Sequence, residues 1–84
     1  MLTVYTLPSC PQCEQTKTML AAGEVSYTEV DLSASGAALE AVKEMGYRTA
    51  PVVVAEDGES WGGFRRDLLE DAVAKYGTEE DIYL

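Results

Sequence analysis

The sequence contains no histidine, and this absence excludes a large class of chemistry. Catalysis by a Cys-His pair, or by any other histidine base, is not available to the chain. Cysteine is also scarce, with two residues in 84. Zinc or an iron–sulfur cluster usually takes four cysteine or histidine ligands, so we expect no metal site within a single chain.

Basic residues are few. Six lysines and arginines stand against fifteen acidic residues, which gives a formal net charge of −9. Because like charges repel, this balance argues against binding to nucleic acid or to an anionic membrane surface. The only clustered bases are Arg65 and Arg66. The excess of acid favours solubility.

Long apolar runs are absent as well. No stretch approaches the roughly 18 residues that a membrane span requires. No basic region followed by a hydrophobic stretch stands at the N-terminus, so we expect no secretory signal and a cytoplasmic protein with reactive rather than structural cysteines. The length predicts one domain, residues 1–77, followed by an acidic tail, residues 78–84.

The two cysteines form the motif Cys10-Pro11-Gln12-Cys13, between a strand-like run, Leu2–Thr6, and a helix-like run, Cys13–Ala22. The free N–H groups at a helix start favour negative charge, so a cysteine placed there ionises more readily. A thiolate attacks a disulfide, and a second cysteine about one helical turn away completes the exchange. The spacing therefore predicts Cys10 as the attacking thiol and Cys13 as the more buried, resolving thiol. The alternatives are two inert core cysteines, or metal ligands shared between two chains.

Hydrophobic periodicity and turn residues predict an α/β fold with the element order β-α-β-α-β-β-α. The first three elements should form a right-handed parallel βαβ unit, and Asp57-Gly58 is typical of a hairpin turn. We expect one four-stranded mixed sheet with three helices on its two faces, the thioredoxin-like architecture. The remaining predicted strands cover residues 25–31, 52–55 and 60–61, and the remaining helices cover 36–45 and 66–76.

Two further segments are candidates for binding a substrate protein. Pro51 starts a buried strand and is a candidate cis-proline. The loop before it, Thr49-Ala50, should lie beside the cysteines and pair with an extended substrate segment, although a plain loop proline is the alternative. In Trp61-Gly62-Gly63-Phe64, the paired glycines allow close approach of a ligand or of a packed helix. The other candidate contact residues are Leu7, Pro11, Gln12 and Arg65.

Several spaced motifs together resemble the NrdH-redoxins, which are small glutaredoxin-like proteins. Family members usually carry serine where this chain has Gly62, and many carry lysine where it has Leu7. The matching segments are Val4-Tyr5-Thr6, the Cys10 to Cys13 motif with Gln12, Gly46-Tyr47, Ala50 to Val54, and Trp61 to Arg65.

The resemblance implies a monomeric dithiol electron carrier with the thioredoxin fold and no bound cofactor. Such a protein takes electrons from NADPH through thioredoxin reductase and passes them to the disulfide of class Ib ribonucleotide reductase. It also implies that Cys10 is the nucleophile, Cys13 the resolving thiol and Pro51 the cis-proline of the substrate groove, with the segment 61–64 near the active site. The double glycine is also similar to that of glutathione-dependent glutaredoxins, which leaves such a glutaredoxin as one alternative. A non-catalytic module, or a dimeric cluster-binding redoxin, is the other.

Overall fold

Strands and helices alternate along most of the chain. The computed structural model describes residues 2–77, and the acidic tail predicted for residues 78–84 lies outside them. In chain order the elements are β1 (Leu2–Thr6), α1 (Pro11–Ala22), β2 (Tyr27–Asp31), α2 (Gly36–Glu44), β3 (Val52–Val54), β4 (Ser60–Gly62) and α3 (Arg66–Tyr76).

The four strands form one mixed sheet in the order β2-β1-β3-β4. Strand β1 runs parallel to β2, with Thr6 opposite Asp31, whereas β3 is antiparallel to both β1 and β4. The turn between β3 and β4 contains Gly58 at φ 94°, a conformation that glycine adopts without steric cost. The predicted element order, mixed sheet and hairpin are therefore confirmed, as is the thioredoxin-like fold.

Alternating side chains give the sheet an apolar surface on each face. On one face, Val4 of β1 packs with Leu20 of α1 and Leu69 of α3. On the other face, Val52 of β3 packs with Val42 of α2. The helices thus cover both faces, as predicted, and α1 carries the cysteine motif at one end of the sheet.

Two predicted helix boundaries were wrong. Helix α1 begins at Pro11 rather than Cys13, because Cys10 acts as its N-cap and the missing N–H of proline is no loss in the first turn. Helix α2 ends at Glu44 rather than at residue 45, and Met45 is 43% exposed.

Two strand boundaries were also wrong. Strand β2 begins at Tyr27 rather than at Val25, because the Val25 N–H bonds back to the Leu20 carbonyl at 2.9 Å and closes the turn after α1. Strand β3 ends at Val54, since the Ala55 N–H belongs to the hairpin and bonds to the Glu59 carbonyl at 2.8 Å. Within residues 2–77, no helix combines the length and the apolar character that crossing a membrane demands.

Candidate active site

The first turn of α1 is built around the sulfur of Cys10. Cys10 has extended backbone angles, φ −116° and ψ 100°, and its carbonyl accepts the Glu14 N–H at 3.1 Å. Its Sγ accepts the Cys13 N–H at 3.1 Å. Pro11 occupies the first helical position, where an N–H would lack an intrahelical partner. A negative charge on the Cys10 sulfur would therefore meet an N–H donor and the positive end of the helix dipole.

The two cysteines differ in exposure. They are joined as a disulfide, with Cα atoms 5.2 Å apart. Cys13 is 1% exposed and belongs to the buried residues of α1, whereas Cys10 is half-buried at the surface. An incoming sulfur can reach Cys10 but not Cys13, which favours the predicted order of attack and resolution.

The loop before β3 lies against the motif, as the sequence predicted. The Ala50–Pro51 peptide bond is cis. The Ala50 carbonyl oxygen lies 3.9 Å from the Cys10 Sγ. A shallow surface depression of about 490 Å³ joins the two segments, lined by Cys10, Pro11, Gln12, Thr49 and Ala50.

The segment after β4 is tied to the same place by hydrogen bonds from two of its backbone N–H groups. The Gly63 N–H donates to the buried Pro51 carbonyl at 2.7 Å, and the Phe64 N–H donates to Gln12 Oε1 at 3.2 Å. Gly63 has φ 80°, which lets the chain turn toward the motif. The structure therefore brings Gln12, Pro51 and the paired glycines together.

Three other candidate contact residues direct their side chains to the core or to another surface residue instead of to the cysteine motif. Trp61 is 4% exposed and lies in the core, where its Nε1 finds no hydrogen-bond partner among residues 2–77. Arg65 is exposed but pairs with Asp67 at 3.1 Å. Phe64 is half-buried and packs against the core on the α1 and α3 side. Of the segment 61–65, the backbone of Gly63 and Phe64 is thus what approaches the cysteine motif and the Pro51 loop.

Leu7 lines a surface groove that the sequence did not predict. It is 41% exposed and forms one wall of a groove of about 440 Å³ beside the motif. Lys43, Tyr47 and Arg48 line the same groove, and none of them was a candidate site residue. The signal in the sequence was the placement of two of only six bases on either side of Gly46-Tyr47.

A polar network lies on the α1 side of the sheet. Lys17 Nζ lies 3.0 Å from Glu29 Oε2 and 3.0 Å from Glu14 Oε2. The Thr6 hydroxyl donates to Glu29 at 3.0 Å. The hydrogen bond from Lys17, followed by that from Thr6, holds the pKa of Glu29 below its ordinary range. In the part of the chain that the structure describes, no three potential metal ligands cluster.

Comparison with known proteins identifies the family of this chain. A family model described as Glutaredoxin matches residues 2–61. The glutaredoxin-like protein NrdH of Lactococcus lactis subsp. cremoris is 37% identical over 69 residues, which cover 82% of this chain and 94% of that protein. The chain belongs to the NrdH-redoxins, within the glutaredoxin family.

Two further NrdH-redoxin comparisons agree. The glutaredoxin-like protein NrdH of Escherichia coli K12 is 35% identical over 68 residues, 81% of this chain and 83% of that protein. A solved structure of the E. coli NrdH-redoxin superposes with a TM-score of 0.79 at 34% identity, covering 83% of this chain and 91% of that one. The chain is accordingly a thiol-disulfide oxidoreductase, and Cys10 and Cys13 are its redox-active pair.

Proposed function

We propose that this protein is a cytoplasmic, monomeric dithiol carrier that reduces the disulfide of class Ib ribonucleotide reductase. In this proposal, thioredoxin reductase restores its dithiol with electrons from NADPH. The observation that carries the dithiol chemistry is the unequal exposure of the cysteines, a half-buried Cys10 beside a Cys13 that is 1% exposed. The resemblance to the NrdH-redoxins supports the choice of target. Support for the thioredoxin-type electron source comes from the E. coli NrdH-redoxin structure, whose authors describe a thioredoxin-like activity profile for that protein.

The reaction proceeds by two exchanges. The Cys10 thiolate attacks one sulfur of the target disulfide, so that the target S–S bond breaks and a mixed disulfide forms. The departing target sulfur takes up a proton. Cys13 then loses its proton and attacks the Cys10 sulfur, which releases the second target sulfur as a thiol. In total the target gains two electrons and two protons, and the carrier leaves with a Cys10–Cys13 disulfide.

The surface beside Cys10 supports a role in holding the target. Thr49 is exposed and Ala50 half-buried, and both line the depression that contains Cys10. An extended target segment can pair with this backbone by strand addition, which places its disulfide over the attacking sulfur. The hydrogen bond between Gln12 and the Phe64 N–H fixes the opposite wall.

Replacement of each cysteine separately tests the assignment of roles. Cys10→Ser should abolish reduction of the reductase disulfide, because no accessible sulfur remains. Cys13→Ser should accumulate a mixed disulfide, since the resolving sulfur is gone, and intact-mass spectrometry would detect one carrier bound to one target. Thr18→Ser, an exposed change on the same helix, should keep the wild-type rate. A Cys10→Ser protein that still reduces the target would contradict the proposal.

The electron source is tested by regenerating the oxidised protein in two ways. NADPH with thioredoxin reductase should restore the dithiol faster than glutathione with glutathione reductase. If only glutathione restores it, the proposed electron source is wrong and the protein acts as a glutathione-dependent glutaredoxin. Visible absorption in the freshly purified protein would instead support a dimeric cluster-binding redoxin.

A further inference from the structure

The basic residues fall into two groups according to their partners. Lys43 and Arg48 form no ion pair with any residue in the range 2–77. The other four bases are all paired: Lys17 with Glu14 and Glu29, Arg65 with Asp67, Arg66 with Glu70, and Lys75 with Asp57. Within residues 2–77, Lys43 and Arg48 are therefore the two bases with no carboxylate at ion-pair distance.

Both cations line the groove of about 440 Å³ described above. Lys43 stands in the last turn of α2, and Arg48 stands in the loop that leads to β3. The rest of the groove lining is mainly apolar and includes Leu7, Leu39 and Tyr47. The groove thus combines an apolar surface with two positively charged side chains.

The groove continues into the redox site. Thr49 and Ala50 line both the groove and the depression around Cys10. The Ala50 carbonyl oxygen is 3.9 Å from the Cys10 sulfur. When a target segment lies along this backbone with its disulfide over Cys10, a target residue close to that disulfide therefore lies over the groove.

We propose that the groove bounded by Lys43 and Arg48 selects partner proteins whose reducible disulfide is flanked by apolar side chains and carboxylates. This inference rests on the proposed function and names the substrate class of the same site. The carrier as a whole repels an acidic partner, but at physiological ionic strength the Debye length is about 8 Å. Glu40 and Glu44 neighbour Lys43 on α2, but they do not line the groove, whereas Lys43 and Arg48 do. A carboxylate of a segment seated in the groove therefore meets these two cations directly.

A pair of matched peptides tests the proposal. Both contain one intramolecular disulfide and the same apolar flanking residues, but one carries two flanking Glu where the other carries Gln. The second-order rate constant for reduction by the reduced protein is measured at about 0.15 M ionic strength. Each rate constant is divided by the rate constant for reduction of the same peptide by dithiothreitol. This division removes the effect of the carboxylates on the intrinsic reactivity of the peptide disulfide.

The wild-type protein should reduce the Glu peptide about three- to tenfold faster than the Gln peptide after this normalisation. The double variant Lys43→Gln/Arg48→Gln should lose that preference while reducing the Gln peptide at nearly the wild-type rate. The control is Arg66→Gln/Lys75→Gln, which makes the same change of charge at cations already paired with Glu70 and Asp57. It should keep the preference.

Three results would overturn the inference: equal normalised rates for the two peptides, a preference that survives in the Lys43/Arg48 variant, or an equal loss in the control. In each case, reduction of the Gln peptide would leave the proposed function standing. If the protein reduced neither peptide but still reduced the ribonucleotide reductase disulfide, the inference alone would be overturned. If it reduced neither the peptides nor the reductase, the proposed function would be refuted as well. Sedimentation of the wild-type protein should show a monomer. If it showed a dimer that the Lys43→Gln/Arg48→Gln variant dissociates, the groove would bind a second copy of the chain, and the partner proposed here would be wrong.

Discussion

At the scale of single residues, Gly62 shows how a neighbour determines which side chain a position accepts. A Cβ added at Gly62 would lie 2.9 Å from Cδ1 and 3.3 Å from Cε1 of Tyr47. The Tyr47 ring has little freedom to move away, because its hydroxyl lies 2.8 Å from Ser60 Oγ and its ring packs against the core on the α2 side. The serine that NrdH-redoxins usually carry at this position would need a different placement of that ring.

We therefore expect Gly62→Ala to lower the free energy of unfolding by about 1–3 kcal/mol, because overpacking displaces the ring. Urea denaturation measures this cost. In the double variant with Tyr47→Leu, the combined loss should be smaller than the sum of the two single losses by about 0.5–3 kcal/mol, since the clash is relieved.

Gly36→Ala is the matched control for that prediction. Nothing lies within 4 Å of a Cβ added at Gly36, the first residue of α2. Its free energy of unfolding should stay unchanged or rise by about 0.4–1 kcal/mol, because alanine restricts the unfolded chain. If Gly62→Ala proved as harmless as Gly36→Ala, Tyr47 would not fill that space.

At the scale of secondary-structure elements, Lys17 and Glu29 connect the helix that carries the cysteines to the sheet. Lys17 lies one turn after Cys13 on α1, and its partner Glu29 lies on β2. The Thr6 hydroxyl at the end of β1 joins them through Glu29. Three elements are thereby held together by polar contacts at the partly exposed edge of the core.

Glu29→Gln should lower the free energy of unfolding at pH 7 by less than about 1 kcal/mol, since the pair is partly exposed and screened by solvent. In the folded wild-type protein, the pKa of Glu29 lies below the ordinary value of 4.5, mainly because of the hydrogen bond from Lys17. The stabilisation is therefore fully present above that value and is lost as the pH falls through the folded pKa. Urea denaturation at pH 7 and at about pH 3 should show the difference between wild type and variant shrinking.

The control for this prediction is Glu40→Gln, which removes an exposed carboxylate on α2. Its effect should stay within about 0.5 kcal/mol at both pH values, as is usual for surface changes. A difference between wild type and Glu29→Gln that grew toward low pH would contradict the proposed contribution of the carboxylate.

The elements that the sequence predicted best are those with a strong internal pattern. The apolar positions of α3 follow helical spacing, and Leu69 and Ala72 among them are buried. The boundaries failed where a single hydrogen bond decides them. Capping by the Cys10 side chain extends α1, and the bond from the Val25 N–H to Leu20 delays β2.

The redox site was predictable as far as it is local in sequence. Cys10 and Cys13 are three positions apart at the start of a helix, so their spacing alone predicts that the two side chains lie close together. The bond between Gln12 and Phe64 joins residues 52 positions apart. It depends on the folded sheet, which carries β4 beside β3, and no local pattern encodes it. Likewise, Lys43 and Arg48 lack an ion-pair partner among residues 2–77 because of where the fold places the acidic side chains, which no local pattern encodes.

At the scale of the whole molecule, net charge opposes folding. Fifteen acidic residues share a small surface with six bases. The ion pairs among residues 2–77 are largely exposed at their acidic ends, as in Arg66–Glu70, where the carboxylate side chain is 59% exposed. Exposed pairs contribute little stability, so the repulsion among the remaining acids is the larger electrostatic effect.

Added salt should therefore stabilise the oxidised protein at pH 7. Raising NaCl from about 10 mM to about 500 mM shortens the Debye length from about 30 Å to a few ångströms and screens the repulsion. If screening relieves about 1 kcal/mol, the midpoint of thermal unfolding should rise by about 4–8 °C, as followed by circular dichroism. The same increase in salt near pH 4, close to the isoelectric point of 4.2, should have a much smaller effect, because the net charge is then near zero. A midpoint that fell with salt at pH 7 would mean that the exposed ion pairs outweigh the repulsion.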